Sequence, residues 1–236
     1  MENRTFSAVV SKIVDEGPSA RTFRLELADG GVFRFLPGQS VAVAFPGDPP
    51  GAVFPISSSP LDEGYVEITL GPTCDFSKRL LELSGGESLE LSGPIGDRYY
   101  RDEIKHAVLL SVGSGIASYR SMMRYVLQKG LPNKIALLYV ERTPSRILFR
   151  SELEEFSKRG IAVTVTITGP IPAEEPWDGR KGPITPELVR KALAGAPEAV
   201  CFVSGDEPSV ETLNETLLKA GVDKRRILAE KTCIAP

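Results

Sequence analysis

The sequence has few of the residues that build metal centres and disulfide frameworks. His106 is its only histidine, and its three cysteines are scattered along the chain, at Cys74, Cys201 and Cys233. Such a set fits neither a disulfide framework nor a zinc, haem or iron–sulfur site. No nucleophile lies near His106 in the sequence, which disfavours a hydrolytic triad. We therefore predict no metal site, and any redox chemistry would need an organic cofactor.

A large net charge and long apolar runs are also missing. The 28 basic and 31 acidic residues leave a net charge of −3, so the sequence lacks the basic surface that nucleic acid requires. Met1 is followed by four polar residues, and no apolar run approaches the roughly 18 residues of a membrane span. We expect a cytoplasmic protein with no membrane span and no nucleic-acid partner.

The pattern of the sequence changes near residue 104, and 236 residues are enough for two domains. In the first part, short alternating runs are separated by glycine and proline clusters, and they lie at residues 22–27, 32–35, 65–70 and 88–91. Alternation with period two predicts an antiparallel β-barrel over residues 1–103. One short helix is expected near residues 76–83.

The second part, residues 104–236, contains continuous apolar runs that indicate strands buried on both faces, at residues 107–110, 135–140, 161–167 and 199–203. Amphipathic segments between these runs predict helices. The alternation predicts an α/β domain with a doubly wound parallel sheet. Ligands bind to such a sheet beyond the carboxyl ends of its strands.

A glycine turn follows the first buried strand. Gly113, Ser114 and Gly115 open a helix, where glycines let a phosphate approach main-chain N–H groups and the helix dipole favours an anion. The full G-x-G-x-x-G fingerprint is absent. A plain strand-to-helix turn is therefore the alternative interpretation.

Two other strands are followed by polar segments. Ser204, Gly205 and Asp206 form a second glycine turn after the last apolar run, and the two turns together predict a shared nucleotide cleft. Arg142 follows another strand, where it could meet a phosphate or stack on adenine. The alternative for Arg142 is a solvated loop residue.

The barrel half contains a row of small hydroxyls beside prolines. Phe54, Pro55 and Ile56 lead into Ser57 and Ser58, and such a row suits a polar ligand that lies along an extended backbone. A serine- and proline-rich turn without a ligand is the alternative.

The short helix offers a second candidate site in this half. Ser77 and Lys78 lie at its start, where a hydroxyl, a cation and free N–H groups can hold a pyrophosphate. A capped helix with solvated basic residues is the alternative.

In this order, the motifs resemble the ferredoxin–NADP reductase superfamily over essentially the whole chain. The matching segments are residues 36–39, 54–57, Ser77, residues 92–96, 113–117, 139–152, 204–205 and 229–231. The resemblance implies a barrel that binds FAD and an α/β domain that binds NADH or NADPH.

The resemblance also implies a reaction, in which hydride passes from the nicotinamide to the flavin and electrons are then released to a protein or small-molecule acceptor. It makes Ser57, near flavin N5, and Glu230, which closes the site, the expected catalytic residues. Ser77 and Lys78 would hold the FAD pyrophosphate. The dinucleotide would lie on the two glycine turns.

The flavin motif departs from the family pattern at two positions. Phe54 stands where the family has an arginine for the pyrophosphate, and Ile56 stands where it has an aromatic that stacks on the flavin. We therefore expect Phe54→Arg to tighten FAD. The alternative function is a degenerate member that acts as a nucleotide-binding or docking subunit. A dehydrogenase without flavin is disfavoured, because no acid or base stands out in the second domain.

The serine run looks closest to electron-transfer subunits of sulfite reductases, cytosolic hydrogenases and dihydroorotate dehydrogenase. Those carry a carboxy-terminal cysteine cluster, whereas this sequence has Cys233 alone there, so we predict no iron–sulfur cluster. The choice of coenzyme stays open. Arg142, Arg146 and Arg150 favour NADPH, whereas Glu141 could accept a ribose hydroxyl and favours NADH slightly.

Overall fold

The computed structural model describes residues 4–18, 20–28, 30–49 and 51–231. Its internal contacts divide the chain into two compact units. The first contains the residues up to Arg101 together with Ala117–Gln128, and the second contains Asp102–Ile116 and Lys129–Lys231. This division runs close to the expected boundary at residues 103 and 104, but it groups most of one helix with the first unit. The domain limits 1–103 and 104–236 stay a prediction.

The first unit is built on one antiparallel six-stranded sheet. Its strands are β1 (Arg4–Asp15), β2 (Arg21–Leu27), β3 (Ser40–Ala44), β4 (Ala52–Pro55), β5 (Tyr65–Leu70) and β6 (Ser88–Ile95). They pair in the order β4-β3-β6-β1-β2-β5. A bridge between Ile56 and Ile68 joins the chain after β4 to β5, the other end of that order, so the sheet closes into the predicted barrel. Helix α1 (Asp75–Leu81) follows β5.

Three of the four strands predicted in this unit are confirmed, and the one at residues 32–35 is wrong. That segment has no regular secondary structure, although Phe33 and Phe35 are buried in the barrel core. β3 was not predicted, because every residue of β3 is buried and the alternation of apolar and polar residues is lost. β4 is only four residues long and ends at Pro55.

The second unit contains a parallel six-stranded sheet. Its strands are β7 (His106–Val112), β8 (Lys134–Glu141), β9 (Ala162–Ile167), β10 (Arg180–Lys181), β11 (Val200–Gly205) and β12 (Ile227–Lys231). The order is β10-β9-β8-β7-β11-β12. The helices along this part of the chain are α2 (Ile116–Lys129), α3 (Arg150–Lys158), α4 (Pro186–Ala192) and α5 (Glu207–Lys219). The predicted fold class, an antiparallel barrel followed by a doubly wound α/β domain, is confirmed.

The strand order determines where this sheet can bind a ligand. From β7 the chain moves outward through β8 and β9, and it then returns to place β11 on the other side of β7. The order therefore reverses between β7 and β11. A doubly wound sheet binds ligands at such a reversal, beyond the carboxyl ends of the strands. Among the described residues, no helix is long and apolar enough to cross a membrane.

Candidate functional site

The two glycine turns predicted from the sequence lie side by side at the reversal between β7 and β11. A Cβ atom added at Gly115 would lie 2.6 Å from the Ser204 carbonyl oxygen and 3.0 Å from the Gly205 nitrogen. Only glycine at position 115 lets the first turn approach the end of β11 this closely. The structure therefore brings together two motifs that are far apart in the sequence.

Gly113 gives the first turn its shape. Its φ of 58° lies in the left-handed region, and nothing lies within 4 Å of a Cβ built on it. Residues Gly113–Gly115 form one short 3-10 turn that runs directly into α2 at Ile116. Ser114 in this turn is half-buried. The turn thus presents open main chain at a helix start, which suits a phosphate.

The second turn also supplies neighbours from the next strand. Ser204 is buried and pairs in register with Glu230 of β12, so Glu230 lies one strand away from the crevice. Asp206 is the N-cap residue that immediately precedes α5, and its carboxylate accepts a hydrogen bond from the Ser209 nitrogen at 3.0 Å. The Asp206 side chain therefore has a capping role.

The end of β8 carries the predicted coenzyme-selecting residues. Arg142 is exposed, whereas Glu141 is only 5% exposed. The Glu141 carboxylate accepts hydrogen bonds from the Tyr139 hydroxyl at 2.9 Å and from the Arg142 nitrogen at 3.2 Å. Burial raises its pKa. Because the protein itself satisfies this carboxylate, its burial does not support the predicted contact between Glu141 and a ribose.

In the barrel, the serine row faces inward. Ser57 and Ser58 are both 0% exposed. The Ser57 hydroxyl accepts a hydrogen bond from the Thr69 hydroxyl at 2.9 Å, and the Ser58 hydroxyl accepts one from the Glu67 nitrogen at 2.9 Å. Both hydroxyls hold the segment against β5, so the placement of Ser57 does not support the predicted contact with flavin.

Phe54 and Ile56 also belong to the barrel core. Phe54 is 3% exposed and Ile56 is 0% exposed, and the Phe54 ring stacks on the Phe76 ring with centroids 6.3 Å apart. Of the residues that precede the serines, Pro55 is half-buried. The burial of Phe54 does not support the expectation that Phe54→Arg would tighten FAD, because a side chain at position 54 points into the core.

The start of α1 is a capping box. The Ser77 hydroxyl accepts a hydrogen bond from the Cys74 nitrogen at 3.0 Å and donates one to the Cys74 carbonyl at 2.8 Å, while the Ser77 nitrogen donates to the Cys74 thiol. Ser77 is fully buried. The Lys78 ammonium is exposed and pairs with Asp75 at 2.9 Å. The capped-helix alternative therefore describes Ser77. Of the two predicted pyrophosphate residues, Lys78 is the one that faces solvent.

Sequence reasoning missed an aromatic cluster beside this helix. Phe76 packs against Phe45 as well as Phe54, with centroids of the first pair 5.4 Å apart. The Arg79 guanidinium lies over the Phe45 ring at 4.3 Å. A Cβ at Gly51 would fall 2.0 Å from the Phe76 ring, so this glycine makes room for it. The signal was present in the spacing of Phe76 and Arg79 on one helix.

A buried ion network was missed as well. Glu67 of β5 is 4% exposed and pairs with Arg24 at 2.8 Å and with Arg120 at 2.7 Å. Arg120 also donates to the Ser57 carbonyl at 3.1 Å. Burial opposes the charge of Glu67, but the two arginines outweigh it and hold the pKa of Glu67 below its usual range. The network ties α2 and the serine segment to β5.

The comparisons with known proteins agree with this architecture. A family model described as an oxidoreductase NAD-binding domain matches residues 109–214. Ferredoxin–NADP reductase B of Sorangium cellulosum (strain So ce56) is 28% identical over 246 residues, which cover 96% of this chain and 97% of that protein. NADH-cytochrome b5 reductase 1 of Ajellomyces capsulatus (strain NAm1 / WU24) is 25% identical, and the match covers 75% of this chain and 59% of that longer protein.

A solved structure supports the same fold. The cytochrome b5 reductase domain of Ulva prolifera nitrate reductase superposes with a TM-score of 0.83 at 20% identity, covering 96% of this chain and 97% of that one. The chain is thus similar in sequence to ferredoxin reductase-like oxidoreductases, and it shares the fold of a cytochrome b5 reductase domain. The oxidoreductase prediction is confirmed at this level. The matches do not single out the sulfite reductase, hydrogenase and dihydroorotate dehydrogenase branch.

Proposed function

We propose that this chain is an FAD-dependent reductase that oxidises NADH or NADPH and delivers the electrons to a partner protein or a small-molecule acceptor. The observation that carries the proposal is the contact between the Gly113–Gly115 turn and Ser204–Gly205 at the reversal of the parallel sheet. It lies inside the segment that matches an NAD-binding domain.

The residues at this crevice suit a dinucleotide. The turn at Gly113 leaves open space above the main chain, and the N–H groups at the start of α2 attract an anion. Ser204 and Gly205 form the opposite wall. Glu230 pairs in register with Ser204 on the adjacent strand, and this neighbourhood supports the proposal that it closes the crevice from the side.

The barrel offers an aromatic surface for the flavin. Phe45 and Phe76 are half-buried and suit ring stacking. The Arg79 guanidinium lies over the Phe45 ring and pairs with the exposed Asp48 at 3.4 Å, a contact that a phosphate could replace. Lys78 adds a second exposed cation. A bound flavin supplies the redox chemistry, because it can accept a hydride and release electrons one or two at a time.

A second candidate function is a nucleotide-binding or docking subunit without a working flavin site. The inward-facing hydroxyls of Ser57 and Ser58 favour it. Reconstitution with FAD separates the two functions. We expect a visible flavin spectrum that bleaches on addition of NADH or NADPH. Saturating FAD that leaves both flavin fluorescence and protein stability unchanged would rule out the reductase.

The finer assignments are part of the same proposal. Electron-transfer subunits of the sulfite reductase, hydrogenase and dihydroorotate dehydrogenase kind remain the suggested branch, on the strength of the Pro55–Pro60 run. We also propose a cytoplasmic location, because Cys74 and Cys201 are free thiols, as is usual in a reducing compartment. Cys233 lies outside the described residues.

Gly115→Ala should damage coenzyme binding. The new Cβ would meet the Ser204 carbonyl oxygen at 2.6 Å, so the two turns must separate. We expect the KM for the coenzyme to rise roughly tenfold to a hundredfold, the scale that a displacement of about 1 Å can reach. Steady-state kinetics with FAD-saturated enzyme measure it. Gly31→Ala is the matched control, because its Cβ would make ordinary contacts at 3.7 Å. A normal KM in Gly115→Ala would remove this crevice from the proposal.

Arg142→Ala tests which coenzyme the end of β8 recognises. Of the three arginines, Arg146 pairs with Glu141 and Arg150 pairs with Glu154. Arg142 is exposed, so we assign recognition of a 2′-phosphate to this arginine. A charge-assisted hydrogen bond contributes about 1.5–3 kcal/mol, and we expect the KM for NADPH to rise roughly tenfold or more, with little change for NADH. The NADPH effect should fade at high salt. Equal changes for both coenzymes would show that Arg142 does not select between them.

A further inference from the structure

The second unit carries a groove at the end of the parallel sheet opposite to the glycine turns. The groove has a volume of about 950 Å³. Its floor includes Val108, Ala136 and Ala162, which lie in register near the beginnings of β7, β8 and β9. The groove therefore lies away from the crevice at the carboxyl ends of the same strands.

The uneven covering of one sheet face explains why the groove is open. Helices α4 and α5 pack on this face, where Val189 and Leu213 share a core with Val108 and Leu138. Further out, Ala136 is half-buried and Ala162 is exposed. The groove there is bounded by α4 on one side and β10 on the other, and none of the described helices fills it.

The dimensions fit one additional helix. Parallel sheets of this class have helices on both faces, and two adjacent strands present a strip about 10 Å wide, close to the diameter of a helix. A volume of 950 Å³ corresponds to about two turns of such a helix. The floor is made of small side chains, Ala136 and Ala162 among them, so a helix backbone could approach the sheet closely.

The rim of the groove is basic. Lys134, Arg180, Lys181 and Lys191 line it, against one carboxylate, Asp178. These four cations are exposed, and none has an ion pair among the described residues, whereas Arg190, next to Lys191 in sequence, pairs with Glu187. The rim therefore complements carboxylates in an occupant.

We propose that this groove binds an amphipathic helix of a partner protein, with aliphatic side chains on the alanine floor and Asp or Glu residues facing the rim. The lining residues contain no Phe, Tyr or Trp, so the floor offers no aromatic partner for a nucleotide base and suits aliphatic groups. The partner would hold the reductase at the face away from the glycine turns, and the coenzyme crevice would stay open.

A labelled helical peptide tests the proposal. The probe has leucines at positions i, i+3, i+4 and i+7 with glutamates on both flanks, and its binding to the FAD-reconstituted full chain is measured by fluorescence anisotropy. We expect saturable binding that weakens about tenfold or more in the double variant Lys134→Glu, Lys191→Glu, because the rim charges are reversed. Ala162→Trp should also weaken it by filling the floor.

Two kinds of control make the outcome decisive. Lys158→Glu lies on α3, outside the groove, and should leave peptide binding unchanged, while all these variants should keep NADH- or NADPH-driven reduction of ferricyanide. The same peptide with lysines for glutamates should not bind. Equal binding to the double variant would overturn the proposal. So would displacement of the peptide by sodium dodecanoate or phosphatidylglycerol vesicles, which would indicate a lipid site.

Discussion

Replacing Phe54 with arginine should lower the free energy of unfolding by about 3–5 kcal/mol, because the change removes a buried aromatic ring and places a guanidinium in an apolar core. Phe54 is 3% exposed, and its ring stacks on Phe76. The affinity of the variant for FAD should also decrease, because the destabilised barrel no longer holds the flavin site together. This result is the opposite of the one expected from the family pattern. Chemical denaturation and an FAD titration of the same preparation measure both effects.

The matched control for this prediction is Phe54→Leu, which keeps an apolar side chain and should cost about 1.5 kcal/mol or less. A Phe54→Arg protein with unchanged stability and roughly tenfold tighter FAD would contradict the core position of residue 54. It would also support the original expectation, in which an arginine at position 54 pairs with the FAD pyrophosphate.

Glu67→Ala should lower the free energy of unfolding about as much as Phe54→Arg does. Glu67 neutralises Arg24 and Arg120, and removing one partner of a buried ion network costs about 3–5 kcal/mol, since the other charges stay in place. Because Arg120 also donates to the Ser57 carbonyl, the loss should loosen the serine segment as well. Denaturant unfolding measures the cost. Glu63→Ala is the control, because Glu63 is an exposed neighbour whose removal should change stability by no more than about 0.5 kcal/mol.

The pH dependence of stability gives an independent test of the same network. The arginines hold the pKa of Glu67 below its usual range in the folded protein. The stability that ionised Glu67 contributes is therefore fully present above its pKa in the unfolded chain, about 4.3. It is lost as the pH falls through the lower pKa that Glu67 has in the folded protein. The stability difference between the wild type and Glu67→Gln should shrink over that acid range. A difference that stays constant with pH would show that the Glu67 charge does not stabilise the fold.

The fold was largely predictable because periodicity is a local property of the sequence. Alternation marked β2 and β5, and continuous apolar runs marked β7, β8, β9 and β11. No such run predicted the short strand β10 or the edge strand β12. β3 escaped detection because closure of the barrel buries all five of its residues. Residues 32–35 alternate like a strand, yet they form an irregular segment from which Phe33 and Phe35 pack into the core. Pairing depends on distant partners, which periodicity does not reveal.

The two glycine turns of the candidate site were predictable from the sequence, whereas the hydrogen-bond partners of the serines in the first unit were not. The turn at Gly113 was found because its left-handed backbone conformation favours glycine, and Gly115 was found because a side chain there would collide with Ser204. The roles of Ser57 and Ser77 depended instead on the direction of each hydroxyl. Thr69 and Cys74 determine those directions, and nothing in the spacing of the serines indicated these partners.

The strand order of the parallel sheet has a consequence for the newly synthesised chain. β7, β8 and β9 leave the ribosome in succession and can pair at once, but Ala107 of β7 must wait for Val200 of β11. Until then one edge of β7 has no partner, which is the state in which strands join wrong neighbours. The coenzyme crevice is thus completed late in synthesis, and NADH or NADPH can protect only chains that have already passed this vulnerable stage.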